Sequence, residues 1–135
     1  MRKRPVSALT VVEGKGALRL TPESLEAAYE FLRATLPFRR MKLPHADEVQ
    51  FRVMVTRDCY GHFRGRIKGA EDFNEIGVSQ HMVTSTDVLI STMAHEMIHL
   101  YQHETGSDSR ADHNSQFRRI AARVCRIHGF DLEDF

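Results

Sequence analysis

The chain has 135 residues, of which 41% are hydrophobic and 27% are charged, and it shows no repeat or low-complexity tract. These values predict one ordinary domain over residues 1–135, with residues 1–20 partly flexible. No apolar run reaches the roughly eighteen residues of a membrane span, so membrane-embedded functions are excluded. The net charge of +1 conceals an asymmetry: residues 1–72 hold 14 Lys/Arg and 9 Asp/Glu, and the remainder holds 5 and 9.

Cysteine usage and the first residues bear on the compartment. Cys59 and Cys125 form no CxxC pair and lack the dense spacing of a disulfide scaffold, which favours a reducing compartment. The opening MRKRPVSALTVVEGK has basic residues, but its apolar stretch is too short for an export signal. We expect a cytoplasmic monomer.

The first half of the chain alternates between one helix and short strands. A capping threonine and a following proline predict a helix over about 21–36. Apolar and polar residues alternate over 49–56, the period of a half-buried strand. Residues 58–61 suit a turn, and a second alternating stretch over 62–68 predicts an antiparallel hairpin with the first. A third short strand is expected at 75–79.

Two further helices are predicted in the second half. A largely apolar helix begins at residue 85 or 86 and continues through about 103, with Gly106 just beyond its end. A polar loop, TGSDSRADHN, follows. The last helix covers 115–128, has an apolar face, and ends before Gly129.

The buried helix contains the pattern HExxH, formed by His95, Glu96 and His99. Histidines four residues apart lie on one helical face, so both imidazoles can bind one metal ion, and the glutamate lies beside the water that the ion binds. A chance match is disfavoured because these polar groups are costly in an apolar helix unless they are satisfied. The extended form HExxHxxGxxH is excluded by Gln102 and Thr105.

A catalytic zinc site generally has three protein ligands and one open position. His103 is about 12 Å from His95 along the helix axis, too far to share an ion with the HExxH pair. The next glutamate after the helix is Glu133, near the end of the sequence. We therefore predict His113 as the third ligand, with a surface histidine in the first helical turn as the alternative.

These residues predict a hydrolytic zinc site in which Glu96 acts as general base and then general acid. Asp108 and Asp112 are candidates for orienting a ligating imidazole, or are loop and cap residues. Three residues near the HExxH pattern in the sequence are candidates for stabilising the oxyanion. They are Tyr101, His103 and Arg110.

The run NEIGVSQHMVTSTDVLISTMAHEMIHLYQH at 74–103, followed by DHNSQF at 112–117, resembles the SprT-like metallopeptidase family, which includes Spartan-type DNA–protein crosslink proteases. The shared features are a strand, a helix bearing HEMIH, and a histidine four residues before a phenylalanine. The resemblance implies a compact zincin-like α+β domain with an N-terminal helix, a small antiparallel sheet, the HExxH helix, and a C-terminal helix carrying the third ligand at its start. It also implies Zn²⁺ at His95, His99 and His113 and a catalytic Glu96.

Two departures from the family pattern concern the third ligand and DNA. Family members commonly have glycine after the third histidine, where this sequence has Asn114. Many also carry a cysteine-rich zinc module, which does not occur here, so we expect no DNA contact by that route. Four cationic side chains are predicted to lie on the same face of the two hairpin strands. Such a face can bind a phosphate backbone, or it is simply a solvated outer face. The four residues are Arg52, Arg64, Arg66 and Lys68.

Three function classes are consistent with these residues. The favoured one is a zinc endopeptidase acting on proteins, including DNA-bound or DNA-crosslinked ones. A nucleic-acid-binding module with a structural zinc is the alternative, although such a site has no need of Glu96. A zinc hydrolase acting on RNA lacks its usual histidine spacing here. We also predict that the strand around 76–79 is an edge to which a substrate peptide adds as a strand.

Overall fold

The computed structural model describes residues 16–67, 69–70 and 72–135. Within them the chain forms three α-helices, three strands and three short 3₁₀ turns. The helices are α1 (Pro22–Arg33), α2 (Thr86–Thr105) and α3 (Ser115–His128), and the strands are β1 (Val49–Met54), β2 (Gly61–Arg64) and β3 (Asn74–Ser79). The expected α+β class is therefore confirmed. The expectation of flexibility concerns mainly residues 1–15, which lie outside the described part.

The helix ends follow the capping signals in the sequence. Thr21 opens α1 with a capping box shared with Ser24, and the helix ends at Arg33, shortly before Pro37 prevents its continuation. Gly106 ends α2 in the left-handed conformation with φ 69°, and Gly129 ends α3 in the same way. A residue without Cβ adopts this conformation at no steric cost, so both glycines fix where their helices stop.

The predicted hairpin is wrong, because β1 and β2 are not neighbours. The sheet order is β1-β3-β2, with β1 parallel and β2 antiparallel to the central β3. The fully buried Ser79 explains the arrangement: its N–H donates to Tyr60 O at 2.8 Å, and its hydroxyl donates to Thr56 O at 2.6 Å. The segment between β1 and β2 thus spans the end of β3, and the sheet is mixed.

Residues 76–79 consequently belong to the central strand, so the expectation of a substrate-binding edge there is also wrong. All six residues of β3 are buried, as suits a strand with neighbours on both sides. Among the described residues, β2 pairs with β3 alone. The free edge near the functional residues is therefore that of β2.

Helix α2 lies at the centre of the packing. It contacts α1, α3, β2 and β3, and Met93, Ala94, Met97, Ile98 and Leu100 are fully buried on it. Hydrophobic residues from α1, the sheet and α3 complete the same cluster. The HExxH segment is thereby held in a helix that the rest of the domain surrounds.

Candidate metal centre and active site

The three predicted histidine ligands lie together. One ligand nitrogen of each of His95, His99 and His113 lies within 4.8 Å of the others. The ring centroids are 5.2 Å apart for the HExxH pair, and those of His113 are 4.9 and 5.2 Å from the two partners. Histidine nitrogens are common zinc ligands in proteins. This cluster is able to hold a metal ion.

Burial favours the neutral form of His95 and His99, which is the form that a metal requires. Burial lowers the pKa of His95 to about 4, assisted by the neighbouring His99 and His113. Burial also lowers the pKa of His99. Neutral imidazoles keep a lone pair on one ring nitrogen, which is the state that binds a metal.

The aromatic ring of Phe117 contacts the rings of all three clustered histidines. The ring of Phe117 lies 5.1 Å from that of His95, 4.7 Å from His99 and 4.3 Å from His113, and it stacks on the last. Phe117 is buried on the inner face of α3. The sequence indicated a core position and a spacing of four residues from His113, and the contact of Phe117 with all three histidines is a finding of the structure.

Glu96 has the burial and position of a catalytic carboxyl. Only 5% of the residue is exposed, and burial raises its pKa to about 8, with a further contribution from the negative charge of Asp112. It lines two cavities of about 410 and 690 Å³, and both are also lined by His95 and Gly61. A buried carboxyl with a raised pKa that lines two cavities is well placed to exchange a proton.

The first cavity extends from Glu96 toward the loop before α3. Its wall includes the ligands His99 and His113 together with His62 and Phe63 of β2. The second cavity has a different set of further lining residues, which includes Tyr60, Thr92 and Phe135. His95 and Glu96 line both cavities.

Gly61 allows β2 to approach Glu96 closely. A Cβ at this position would lie 2.8 Å from Thr92 Cγ2, 3.0 Å from Gly77 O and 3.1 Å from Glu96 Oε2. One of these neighbours is a backbone atom in the central strand, which has little freedom to move. The sequence showed only a turn glycine here, whereas the structure makes it part of the site.

The predicted ligand His95 has a main-chain partner. Its Nδ1 lies 2.8 Å from the main-chain oxygen of Phe135, and because that oxygen only accepts, Nδ1 carries the proton. The Nε2 lone pair then remains for a metal. A 3₁₀ turn over Leu132–Asp134 delivers this oxygen.

None of the predicted oxyanion candidates lines either cavity. His103 Nε2 lies 3.0 Å from Arg66 O, and the His103 ring is 5.6 Å from that of Phe63. It therefore joins α2 to the end of β2, as a rim residue. Tyr101 packs at the border of the core, and Arg110 is an exposed loop residue.

The two candidate orienting aspartates differ in their contacts. Asp112 Oδ2 lies 3.4 Å from Nε2 of His113, so it is close enough to influence that ligand. Asp108 Oδ2 lies 3.8 Å from Nδ1 of His103, which is not one of the three clustered histidines. Both aspartates line the first cavity.

Two of the four predicted nucleic-acid contacts lie beside a buried carboxylate. Arg52 of β1 and Arg64 of β2 flank the buried Glu75 of β3, at 3.6 and 3.8 Å from its carboxylate. Arg66 follows β2, and its N–H donates to Asn74 Oδ1 at 2.7 Å. Lys68 lies outside the described residues. Glu75 offsets part of the positive charge on this face.

Comparison with known proteins gives a family. The sequence model described as the SprT-like family matches residues 27–133, which include all of β1 to α3. No individual curated protein matches the chain. Among the described residues, no helix combines the length and apolar character needed to cross a bilayer. Since the match covers well over half of the sequence, the chain belongs to the SprT-like family.

Proposed function

We propose that the protein is a zinc-dependent endopeptidase in which Glu96 is the catalytic base. One observation carries this proposal. The buried carboxyl of Glu96 lines the same cavity as the clustered His95, His99 and His113. A purely structural metal site has four protein ligands and no use for a proton-exchanging carboxyl. Membership of the SprT-like family supports the same activity.

The donor set supports zinc as the metal. Three imidazoles with an adjacent open cavity are typical of catalytic zinc, which keeps its fourth position for water or substrate. When bound, Zn²⁺ would polarise a carbonyl and lower the pKa of a bound water toward neutrality. His95, His99 and His113 are the residues that would hold it.

The chain's own contribution to peptide hydrolysis is proton transfer. Glu96 takes a proton from the attacking water as the water oxygen bonds to the scissile carbonyl carbon. It then gives that proton to the amide nitrogen as the carbon–nitrogen bond breaks, so that a carboxylic acid and an amine leave. Burial that raises the pKa of Glu96 favours its holding the proton between these two steps.

The shape of the site supports cleavage within a chain. Two cavities that are both lined by His95 and Glu96 leave room for substrate residues before and after the scissile bond. The free edge of β2 borders both cavities through Gly61 and offers a place for an extended peptide to add as a strand. We assign this role to β2 in place of the central β3.

A DNA-bound or DNA-crosslinked protein is the narrower form of the proposed substrate. Arg52 and Arg64 support it, since their side chains are 63% and 46% exposed on the same sheet face. Exposed cations bind phosphate groups and make binding dependent on salt. Two free cysteines, Cys59 and Cys125, support action in a reducing compartment such as the cytoplasm.

The test is cleavage of a DNA-binding protein by the zinc-loaded protein, with and without single-stranded DNA. Glu96→Gln is the matched control, because it keeps the size of the side chain and removes the base. Cleavage that needs both Glu96 and DNA supports the narrower substrate class. Cleavage that needs Glu96 alone supports a general endopeptidase. Stoichiometric zinc without cleavage of any substrate favours a nucleic-acid-binding module with structural zinc.

A further inference from the structure

A buried amide on α2 contacts the start of α3, next to the third ligand. Gln102 lies three residues after His99 and is only 1% exposed. Its Nε2 donates to Asn114 Oδ1 and to Gln116 Oε1, each at 2.8 Å. Burying an amide costs free energy unless its hydrogen bonds are made. Arrangements in which Gln102 keeps these two bonds are therefore favoured over arrangements that lose them.

We propose that Gln102 and Asn114 form a latch that positions His113 for the metal. The proposal rests on the proposed metal centre and adds two positioning residues to it. Asn114 directly follows His113, so fixing the asparagine side chain against α2 restrains the backbone that carries the ligand. The latch thereby ties the third ligand to the helix that carries the other two.

Asn114 is also the N-cap of α3 and a brace for the preceding loop. Its Oδ1 accepts from the N–H of Phe117 at 2.9 Å, in addition to the bond from Gln102. Its Nδ2 donates to Ser107 O and Ser109 Oγ, both at 3.2 Å. One side chain thus joins α2, the loop after α2 and the first turn of α3.

The need for such a latch follows from the position of His113. The residue lies at the end of an irregular loop, and its side chain is 42% exposed. A loop histidine samples many conformations. Metal binding restricts it to one of them, and this restriction costs conformational entropy. Gln102 restrains both ends of this loop, because its main-chain oxygen also accepts from the N–H of Ser107 at 2.8 Å.

The latch explains why this chain uses asparagine after the third histidine. Asn114 has φ −75°, a value open to any residue, so no glycine is needed to make the turn. A glycine here would provide neither the acceptor for Gln102 nor the cap for Phe117. The asparagine side chain therefore performs a function that glycine lacks.

The test compares zinc affinity, measured by competition with a chromophoric chelator, across four variants. We expect Gln102→Leu and Asn114→Ala to bind zinc about tenfold to a hundredfold more weakly, as for other partners of metal ligands. Asn114→Asp keeps the oxygen that accepts from Gln102 and Phe117 but loses the two Nδ2 donations to the loop, so its zinc affinity should fall between those of wild type and Asn114→Ala. Gln80→Leu, the same substitution at an exposed residue, should leave the affinity unchanged.

A second background shows whether the latch acts through His113. In His113→Ala, the Gln102→Leu change should weaken zinc binding by less than about twofold, since the ligand that it positions is gone. Equal loss in both backgrounds, or wild-type affinity in folded Gln102→Leu, would overturn the latch while leaving the metal centre intact. Absence of zinc binding by the wild type would overturn both. Asn114→Ala provides the same comparison if Gln102→Leu does not fold.

Discussion

Nδ1 of His95 donates to the main-chain oxygen of Phe135 over 2.8 Å, and the two rings lie 5.4 Å apart. This pairing selects the ring nitrogen that remains for the metal. We predict that His95 in the metal-free protein is protonated at Nδ1, as seen in long-range ¹H–¹⁵N spectra of the imidazoles. Phe135→Ala loses the ring packing and should give a mixture of tautomers. A wild-type His95 protonated mainly at Nε2 would contradict this assignment.

Gly61→Ala should impair catalysis more than metal binding. The added Cβ meets Thr92, the backbone oxygen of Gly77 and the carboxyl of Glu96 at 2.8 to 3.1 Å. We expect at least a tenfold loss of kcat/KM, zinc affinity within about threefold of wild type, and a loss of about 1–3 kcal/mol in the free energy of unfolding. Thr92→Ser removes the closest contact atom and should restore part of the activity. Full activity in Gly61→Ala would refute the close-approach argument.

Phe117→Leu tests the aromatic support beneath the ligands. Leucine keeps an apolar side chain of similar bulk but loses ring contacts with three histidines. We expect zinc affinity to fall severalfold and the free energy of unfolding to fall by about 1–2 kcal/mol. Phe31→Leu, at a residue that is 51% exposed on α1, serves as the control. Equal zinc affinity in Phe117→Leu and wild type would show that the ring only fills the core.

The metal-free protein should lose stability as the pH rises, because of Glu96. Burial raises the pKa of Glu96 from 4.5 to about 8, so the folded state binds a proton that the unfolded state releases. Its contribution is present below pH 4.5 and is lost as the pH rises to about 8, with a slope of at most about 1.4 kcal/mol per pH unit. His95, with its pKa lowered to about 4, acts oppositely: stability falls as the pH drops below its ordinary 6.5.

Comparison of wild type with Glu96→Gln isolates the contribution of Glu96 to the pH dependence of stability. Urea unfolding in the presence of a chelator, compared between wild type and Glu96→Gln from pH 5 to pH 8.5, should show the variant gaining relative stability with rising pH. The His95 contribution is common to both proteins and cancels in the difference. A difference that does not change with pH would show that Glu96 titrates near its ordinary value in the folded protein.

Local sequence signals anticipated the helices and the three histidines that lie together in the structure. Capping residues and glycines defined α2 and α3, since these signals act within one helical turn. The spacing of His95 and His99 required one helical face, and elimination among the remaining donors pointed to His113. The roles of these residues as ligands and of Glu96 as base remain proposals.

Strand order and supporting contacts were beyond the reach of the sequence. Alternation over 49–56 and 62–68 indicates which residues share a face, but it does not indicate which strand lies between two others. The central place of β3 is set by pairing with strands distant in sequence, and Ser79 adds hydrogen bonds to segments about twenty residues away. Gln102 was merely a polar residue in an apolar helix until its partners on α3 were visible.

Zinc-dependent proteolysis by wild type and Glu96→Gln, with bound zinc quantified in the same samples, tests the proposed zinc endopeptidase. We expect one zinc per chain in both proteins, and product peptides, identified by mass spectrometry, from wild type alone. Equal cleavage by both proteins would contradict the role of Glu96. Wild type with one bound zinc and no cleavage of unfolded, DNA-bound or free protein substrates would contradict the proposed endopeptidase.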